Sequence, residues 1–270
     1  MPGYNWYYWG AEEGRGNNLG QNQQTPQEIP DDVIDISAGS RHTFLIEADG
    51  TVQAAGFIES DFGYRGHLGL GPVQKCQGDT TKLCEGTNVP LPVTTVVNAA
   101  GDLVDAPPFA RVYAGVGVAS DSGEMHSLLI AQNGKAYISG SNNRGQLCVG
   151  ELNTEYVDLF HEVPGIDNAV QGAVGLDFTL IVTEDGKVYG CGSNDFGQIG
   201  QGPDVDLSTE PVQIKELDGV TDLSTGLSFA IFLNGDAGTI WGSGSNLYGQ
   251  LCGFTGGNPV TTPQVRCHTD

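Results

Sequence analysis

Carboxylate side chains could bind a metal ion or act as a catalytic acid and base, so their spacing is considered first. Asp204 and Asp206 lie in a polar stretch that resembles half of a calcium-binding loop, but the glycine and the terminal glutamate of that motif are missing. They are therefore only weak metal candidates. The acidic pairs Glu12–Glu13 and Asp31–Asp32 fall in predicted loops and lack the spacing of a catalytic carboxylate pair.

Motifs that mark common enzyme classes do not occur in the sequence. It has no glycine-rich phosphate loop ending in Lys-Ser or Lys-Thr, no His-Glu-x-x-His zinc motif and no Gly-x-Ser-x-Gly nucleophile turn. We therefore predict a non-enzymatic protein with no catalytic residue and no cofactor.

Two histidines share one position of a repeated pattern. His42 and His126 stand where Phe178 and Phe229 stand in two other copies. A position that accepts phenylalanine is a packing position. We therefore predict buried histidines that are hydrogen-bonded to neighbouring backbone, rather than a metal ligand or a general base.

The six cysteines suggest disulfides more than zinc. Cys76 and Cys84 bracket a polar loop with a spacing that suits a small loop-closing disulfide, and Cys252 and Cys267 could close the C-terminal segment in the same way. A tetrahedral zinc site is the alternative, but the chain has no Cys-x-x-Cys pair.

The other two cysteines, Cys148 and Cys191, lie in different repeats and have no obvious mate. The N-terminal residues show no signal peptide. The compartment therefore stays open: we expect an extracellular protein if Cys76 and Cys84 are oxidised, and a cytoplasmic one otherwise.

The elements that position all these residues come from a repeated stretch. Residues 188–200, Val-Tyr-Gly-Cys-Gly-Ser-Asn-Asp-Phe-Gly-Gln-Ile-Gly, return almost unchanged at 240–252 and clearly at 136–148, with looser copies at 52–69 and 7–20. The clear copies are about 50 residues apart, as in propeller blades and similar arrays.

Each repeat reads as four short strands. Asp49-Gly50, Asn133-Gly134 and Asp185-Gly186 separate alternating runs and predict hairpin turns, and residues 234–238 form a longer turn in the last repeat. Each repeat then ends in a predicted outer strand led by proline, which suits an edge. These strands are Pro92–Val97, Val163–Pro164, Pro211–Ile214 and Pro263–Val265.

Four antiparallel strands per repeat are typical of a propeller blade. We predict one all-β domain over residues 1–270, with a half blade at 1–32 and repeats at about 33–110, 111–166, 167–217 and 218–270. The half blade lacks its own first two strands. We therefore expect a longer protein, a ring that closes differently, or an open ring.

Composition limits the partners. The formal net charge is −22, from 11 Lys and Arg against 33 Asp and Glu, which excludes a basic surface for nucleic acid and favours a basic or mixed-charge protein partner. No window approaches the roughly 20 apolar residues of a membrane span, so we expect no membrane insertion.

Two insertions interrupt the longest period, at residues 71–89 and 98–108. Loops of this length in a compact domain are usually functional, stapled by a disulfide, or disordered. We take the first insertion, which holds Cys76 and Cys84, as the best local candidate for a partner contact.

The loop of each repeat has a constant frame and variable tips. We predict that Gln146, Gln198 and Gln250, with His67 in the first repeat, tie one blade to the next through side-chain bonds to backbone, and that Leu68, Leu147, Ile199 and Leu251 are core. Aromatic and arginine tips are typical anchors of protein interfaces. The predicted partner-binding tips are Tyr64, Arg65, Asn143, Arg144, Asp195, Phe196, Leu247 and Tyr248, with the alternative that Phe196 and Tyr248 fold back onto the next blade.

The order Gly-x-x-His-(Thr/Ser), Asp/Asn-Gly and aromatic-x-x-Gly-Ser-Asn-x-x-Gly-Gln-Leu-Gly resembles the regulator-of-chromosome-condensation repeat over nearly all of the chain. The resemblance implies a β-propeller, seven-bladed in the best-known members, of which about five blades of sequence are present. It also implies binding more than catalysis. Members include an exchange factor for the GTPase Ran, a plant ultraviolet photoreceptor, secreted β-lactamase inhibitors, and propellers of ubiquitin ligases and ciliary proteins.

A photoreceptor needs a clustered tryptophan array, and the chain has only Trp6, Trp9 and Trp241. Fold alone does not choose among the remaining functions. The sequence favours a protein-binding propeller that acts as an interaction module or as a structural component of a larger complex. The alternatives are a guanine-nucleotide exchange factor for a small GTPase, and a secreted inhibitor or cell-surface component.

Overall fold

A computed structural model describes residues 6–10, 23–29, 32–57, 66–71, 86–117, 125–150, 152, 155–251 and 259–268. These residues form twenty β-strands and no helix, so none of them crosses a membrane as a helix. The chain divides into two compact units. Unit 1 comprises Met1–Gln132, Tyr137–Ser141 and Tyr156–Glu162, and unit 2 comprises Asn133–Ala136, Asn142–Glu155 and Val163–Asp270.

Unit 1 contains three sheets. An antiparallel pair, β1 (Trp6–Gly10) and β2 (Gln23–Ile29), stands by itself. The first four-stranded sheet is β3 (Val33–Ala38), β4 (His42–Glu47), β5 (Val52–Phe57) and β6 (Gly86–Pro92). The second sheet has the order β8-β7-β12-β11-β10-β9, with β7 at Thr95–Val97, β8 at Leu103–Asp105, β9 at Phe109–Ala114, β10 at His126–Ala131, β11 at Ala136–Ser141 and β12 at Tyr156–Glu162.

Unit 2 contains two four-stranded antiparallel sheets whose strands follow one another in chain order. The third sheet is β13 (Ala169–Val174), β14 (Phe178–Thr183), β15 (Val188–Ser193) and β16 (Leu207–Gln213). The fourth sheet is β17 (Asp222–Thr225), β18 (Phe229–Asn234), β19 (Thr239–Gly244) and β20 (Val260–His268). Four strands per repeat are therefore confirmed, whereas the prediction of one domain over the whole chain stays a prediction.

The predicted hairpins between the second and third strands are confirmed. Gly50, Gly134 and Gly186 close these turns with φ of 88°, 82° and 75°, the left-handed region that only glycine enters without strain. The residue before each glycine helps to hold the turn. For example, Asp49 Oδ1 accepts a hydrogen bond from the Thr51 backbone N–H at 2.8 Å.

The prediction that proline leads the outer strand is wrong. In the first, third and fourth sheets the outer strand starts earlier and carries a bulge where its register against the third strand shifts. Pro90, Pro211 and Pro263 lie within these bulges. A bulge leaves a residue outside the hydrogen-bonded ladder, and so it tolerates proline, which has no N–H to donate. In the second sheet β12 ends before Pro164.

The segment 92–97 is also corrected. Pro92 ends β6, and Thr95–Val97 forms the separate strand β7, which pairs in parallel with β12 of the next repeat. Val96 is fully buried there. The second insertion therefore supplies the turn and the strand β8 of an ordered hairpin, β7–β8, attached to the second sheet. Residues 72–85 of the first insertion lie outside the described residues.

Apolar side chains of successive repeats interleave to form the cores. Unit 1 has a core around Phe44, Phe109, Leu129 and Phe160, and unit 2 has one around Phe178, Leu180, Ile199 and Phe232. The four residues predicted to follow the loop glutamine or histidine into the core are all buried: Leu68, Leu147, Ile199 and Leu251.

The two histidines of the packing position are buried, as predicted, with no exposed surface. The hydrogen bond between His42 and neighbouring backbone that we predicted is not the one observed. Its Nε2 lies 3.0 Å from Ser127 Oγ on β10, and its ring makes edge contacts with Phe44 and His67 at centroid distances of 5.5 and 4.8 Å. His42 therefore links two adjacent sheets of unit 1.

The stability of unit 1 should fall as the pH falls below about 6.5. Burial, and then the charges of His67 and His126, hold the pKa of His42 well below its usual value. Below that pH, His42 is protonated in the unfolded chain but stays neutral in the folded chain. The free energy of unfolding therefore decreases as the pH drops through the unfolded pKa, by at most about 1.4 kcal/mol per pH unit for one proton.

Replacement of His42 by phenylalanine, the residue of the same position in the third and fourth repeats, should flatten this dependence. The measurement is urea unfolding at pH 7.5 and at pH 5.5 for wild type and His42→Phe. An identical loss of stability in both proteins would show that His42 does not bear the effect.

Candidate protein interface

The loop between the third and fourth strands has one frame in the second, third and fourth repeats, and all three loops belong to unit 2. A buried asparagine accepts, through Oδ1, a hydrogen bond from the backbone N–H five residues later. The pairs are Asn142 with Leu147 (3.2 Å), Asn194 with Ile199 (3.2 Å) and Asn246 with Leu251 (3.0 Å). Because each asparagine is at most 4% exposed, the bond is shielded from water and the loop is held in one shape.

The loop glutamine completes the frame from inside its own loop. Its Oε1 accepts the backbone N–H of the second tip residue, and these bonds join Gln146 to Arg144 (2.8 Å), Gln198 to Phe196 (2.9 Å) and Gln250 to Tyr248 (2.9 Å). The predicted role of this side chain in tying one blade to the next is therefore wrong. The glutamine's backbone carbonyl makes that link instead, since Gln146 O accepts from Thr179 Oγ1 at 2.8 Å.

A glycine between tip and glutamine packs against the outer strand of the next repeat. Gly145 has φ of 79° and approaches β16, and Gly197 has φ of 84° and approaches β20. A Cβ at position 197 would lie 2.2 Å from Thr261 Cα. The repeat therefore uses glycine here both for its backbone conformation and for the lack of a side chain.

The variable tips project from this frame. Tyr248 is 92% exposed, Leu247 56% and Phe196 38%, and both Asn143 and Asp195 are exposed. Tyr248 therefore does not fold back, and Phe196 is partly covered. We call the six residues Asn143, Arg144, Asp195, Phe196, Leu247 and Tyr248 the tip surface; Tyr64 and Arg65 lie outside the described residues.

An ion pair joins two neighbouring tips. The Arg144 guanidinium contacts the Asp195 carboxylate and lies 3.4 Å from Ser193 Oγ. Both partners stay partly exposed, so the pair adds little stability but fixes the direction of the arginine.

One further exposed side chain belongs to the same end of unit 2. The loop between the first and second strands of the fourth sheet contacts the start of the tip loop, because Ser245 N–H donates to Ser228 O at 2.8 Å. Leu227 precedes Ser228 and is 45% exposed. Sequence reasoning missed it, although an apolar residue between Gly226 and Phe229 in a turn was the available signal.

One expectation about the cysteines is wrong. Cys148 and Cys191, for which no mate was expected, form a disulfide with a Cα–Cα distance of 5.4 Å. Cys148 has φ of 58°, and Gly69 and Gly200 hold the same position with φ of 63° and 64°. Cysteine therefore replaces glycine where it can reach the next repeat.

The predicted bonds Cys76–Cys84 and Cys252–Cys267 depend on side chains outside the described residues and stay predictions. The weak metal candidates Asp204 and Asp206 are both exposed. Within the described ranges, no group of three or more His, Cys, Asp or Glu side chains could hold a metal ion.

Known proteins share this repeat. Two models of the regulator of chromosome condensation (RCC1) repeat match residues 169–198 and 185–233, which include the loop of Asp195 and Phe196. A curated relative, the protein RCC2 homolog of Xenopus laevis, is 36% identical over 135 residues, which are 50% of this chain and 26% of that protein. Residues 169–233 of this chain therefore match the RCC1 repeat.

The RCC1-type fold extends over the described chain. Prp20p of Saccharomyces cerevisiae, a protein whose binding to Gsp1p and histones has been studied, matches with a TM-score of 0.71 at 18% identity, covering 98% of this chain and 59% of Prp20p. The four-stranded sheets are therefore blades of an RCC1-type β-propeller.

A second curated relative is the secretion-regulating guanine nucleotide exchange factor of Bos taurus, 34% identical over 137 residues, or 48% of this chain and 29% of that protein. The matched regions are thus little more than a quarter of the length of the two curated relatives.

Proposed function

We propose that this RCC1-like repeat protein binds a protein partner through the tip surface of unit 2, as an interaction module or a structural component of an assembly. The observation that supports the proposal is the pairing of one rigid loop frame with different exposed side chains at equivalent positions. In three repeats the glutamine Oε1 accepts the tip backbone N–H at 2.8–2.9 Å, so the backbone of Arg144, Phe196 and Tyr248 has little conformational entropy left to lose on binding.

The side chains favour a mixed interface. Tyr248, Leu247 and Phe196 supply apolar and aromatic area, and tyrosine and arginine are enriched among binding hot spots. The net charge of −22 favours a partner surface with basic residues around an apolar centre. The binding of Prp20p to proteins is consistent with such a role for the fold.

The test is affinity capture from the source organism with wild type and with the double variant Arg144→Ala/Tyr248→Ala. We expect one or more wild-type partners to lose binding by about 30-fold or more, since the loss of even one hot spot costs about 2 kcal/mol. Quantitative binding of the purified partner then gives the size of the loss.

The matched control is Val170→Ala/Lys215→Ala, which removes one exposed apolar and one exposed basic side chain of unit 2 outside the tip surface. Its binding and the melting temperatures of both double variants should equal those of wild type. Retention of every partner by the tip variant would overturn the proposal.

A second candidate function is nucleotide exchange on a small GTPase, favoured by the relative whose name is that of an exchange factor. Nucleotide release from a panel of GTPases loaded with fluorescent GDP separates the two functions. An interaction module leaves the release rate unchanged, whereas an exchange factor accelerates it. The third candidate, a secreted or cell-surface component, gains support from the Cys148–Cys191 bond, because disulfides persist in oxidising compartments.

A further inference from the structure

The hairpin β7–β8 in unit 1 is firmly attached on one side. Val96 of β7 is fully buried and pairs with Phe160 of β12. The turn is closed by Asn98, whose Oδ1 accepts the backbone N–H groups of Ala100 (3.0 Å) and Asp102 (2.9 Å). The hairpin therefore presents its outer strand, β8, from a fixed base.

The other side of β8 is open among the described residues, because β8 ends the sheet order. The bonds Asn98 N–H to Asp102 O and Ala106 N–H to Thr94 O, both 2.9 Å, show which residues of this ladder face β7. Since alternate residues of an antiparallel ladder face opposite sides, Leu103 and Asp105 direct their N–H and C=O groups away from β7.

The side chains of β8 leave this edge open to an apolar or basic partner strand. Leu103 is 67% exposed, Val104 is 37% exposed, and Asp105 is exposed. Sheet edges are commonly blocked by charged side chains, proline or a bulge; β8 has no proline and no bulge, and its one charge is the carboxylate of Asp105, which repels an acidic strand but attracts a basic one. An open edge with exposed apolar side chains is the surface that a further strand pairs with.

A groove begins where β8 ends. It has a volume of about 300 Å³ and lies between the turn of Asp49 and the residues that follow β8. Six apolar residues contribute to its lining, but polar atoms make up more of its exposed wall than apolar atoms, and Asp49 is its charged residue. The apolar residues are Val52, Val93, Ala106, Pro107, Pro108 and Phe109. The Thr51 backbone N–H, which bonds Asp49, lowers the pKa of this carboxyl, so it is ionised at neutral pH.

The acidic residues on the β8 edge and in the groove favour a basic binding partner. Asp102 and Asp105 flank the apolar pair on the edge, and Asp49 lies in the groove. A second copy of this chain would bring the same carboxylates and a net charge of −22 against them. Basic residues on an extended segment would meet complementary charge.

We propose that β8 and the adjoining groove bind an extended, basic segment of another protein by strand addition. The segment pairs with the outward N–H and C=O groups of Leu103 and Asp105, packs β-branched or other apolar side chains on Leu103 and Val104, and directs a lysine or arginine towards Asp49. This surface belongs to unit 1 and the tip surface to unit 2, so the two proposals can fail separately.

The test is selection from a random octapeptide library on the purified full chain, followed by affinity measurement with the peptides that are enriched. We expect a consensus that alternates basic and β-branched residues. On binding, the amides of Leu103 and Asp105 should change from fast to slow hydrogen exchange. Failure to enrich any peptide that competes for this edge would overturn the proposal, as would protection of both amides in the free protein, which would show an edge already paired.

Two variants at one position separate strand pairing from charge. Asp105→Pro removes an outward N–H without touching the bonds to β7, and we expect it to weaken the selected peptides about tenfold or more, beyond the loss of the carboxylate alone. Asp105→Ala keeps the N–H and should cost only a few-fold, with a loss that shrinks at high salt. Equal affinities for the two variants would show that the peptide does not add as a strand, and a consensus rich in acidic residues would contradict the proposed partner.

Discussion

Replacement of Gly197 by alanine is expected to lower the melting temperature of unit 2 by roughly 10 °C. Alanine at φ of 84° costs about 1–2 kcal/mol in backbone strain. In addition, its Cβ would lie 2.2 Å from Thr261 Cα, a backbone atom that moves only if β20 moves, and such overpacking adds about 1–3 kcal/mol. Differential scanning calorimetry of the purified variant measures the shift.

The repeats supply a graded control for this result. Gly145 and Gly249 hold the same position with φ of 79° and 72°. A Cβ at position 145 would lie 3.0 Å from the Thr209 Cα, and at position 249 it would meet no described atom within 4 Å. We expect the destabilisation to increase from Gly249→Ala to Gly145→Ala to Gly197→Ala. Equal shifts at all three positions would mean that backbone strain alone matters and that contact with the next repeat does not.

Loss of the Cys148–Cys191 disulfide should have an effect of similar size. The bond joins residues separated by 43 positions, and a crosslink over such a loop stabilises by about 4 kcal/mol through the unfolded chain. Cys191→Ser is a conservative test, because Ser243 holds the equivalent position and its Oγ donates to Gln198 O at 3.3 Å. Under non-reducing conditions we expect this variant to melt roughly 10 °C below wild type.

Cys148→Gly is the matched partner of that variant. It also removes the bond, but glycine adopts φ of 58° without strain, so the loss should be smaller by about 1 kcal/mol. In the presence of reductant, wild type should fall to the level of Cys191→Ser, and Cys148→Gly should then exceed wild type. A wild-type melting temperature that reductant leaves unchanged would contradict a stabilising bond.

The strands could be predicted from the sequence because the same pattern recurs several times along the chain. Asp or Asn before Gly indicated the hairpin turns, and the apolar residue that follows the loop glutamine in each repeat indicated the core position filled by Leu147, Ile199 and Leu251. Both signals are local, since a turn and an alternation depend on residues close in the sequence.

The features that escaped prediction depend on contacts between repeats. The pairing of Cys148 with Cys191 follows from the approach of one repeat's loop to the third strand of the next, which spacing within a repeat does not show. Strand β7 leaves its own repeat for β12 of the following one, and the prolines of the outer strands mark bulges that only the register reveals.

The same difference between local signals and contacts between elements decides which parts of the candidate sites could be predicted. The tip residues could be named from their variability within a constant loop, and the exposure of Tyr248 agrees with an outward direction. Leu227 and the open edge of β8 could not, because the first depends on contact between two loops and the second on which side of a hairpin is already paired.

The contact of Gly145 and Gly197 with the next repeat has a consequence for synthesis on the ribosome. The strands of the third sheet are consecutive in the chain, but Gly197 stays uncovered until β20 of the following repeat has emerged. At about 5–20 residues per second, each of these two loops therefore waits several seconds for its partner strand. Nascent chains stalled one repeat short should expose the newest tip loop to protease while the preceding repeats resist it.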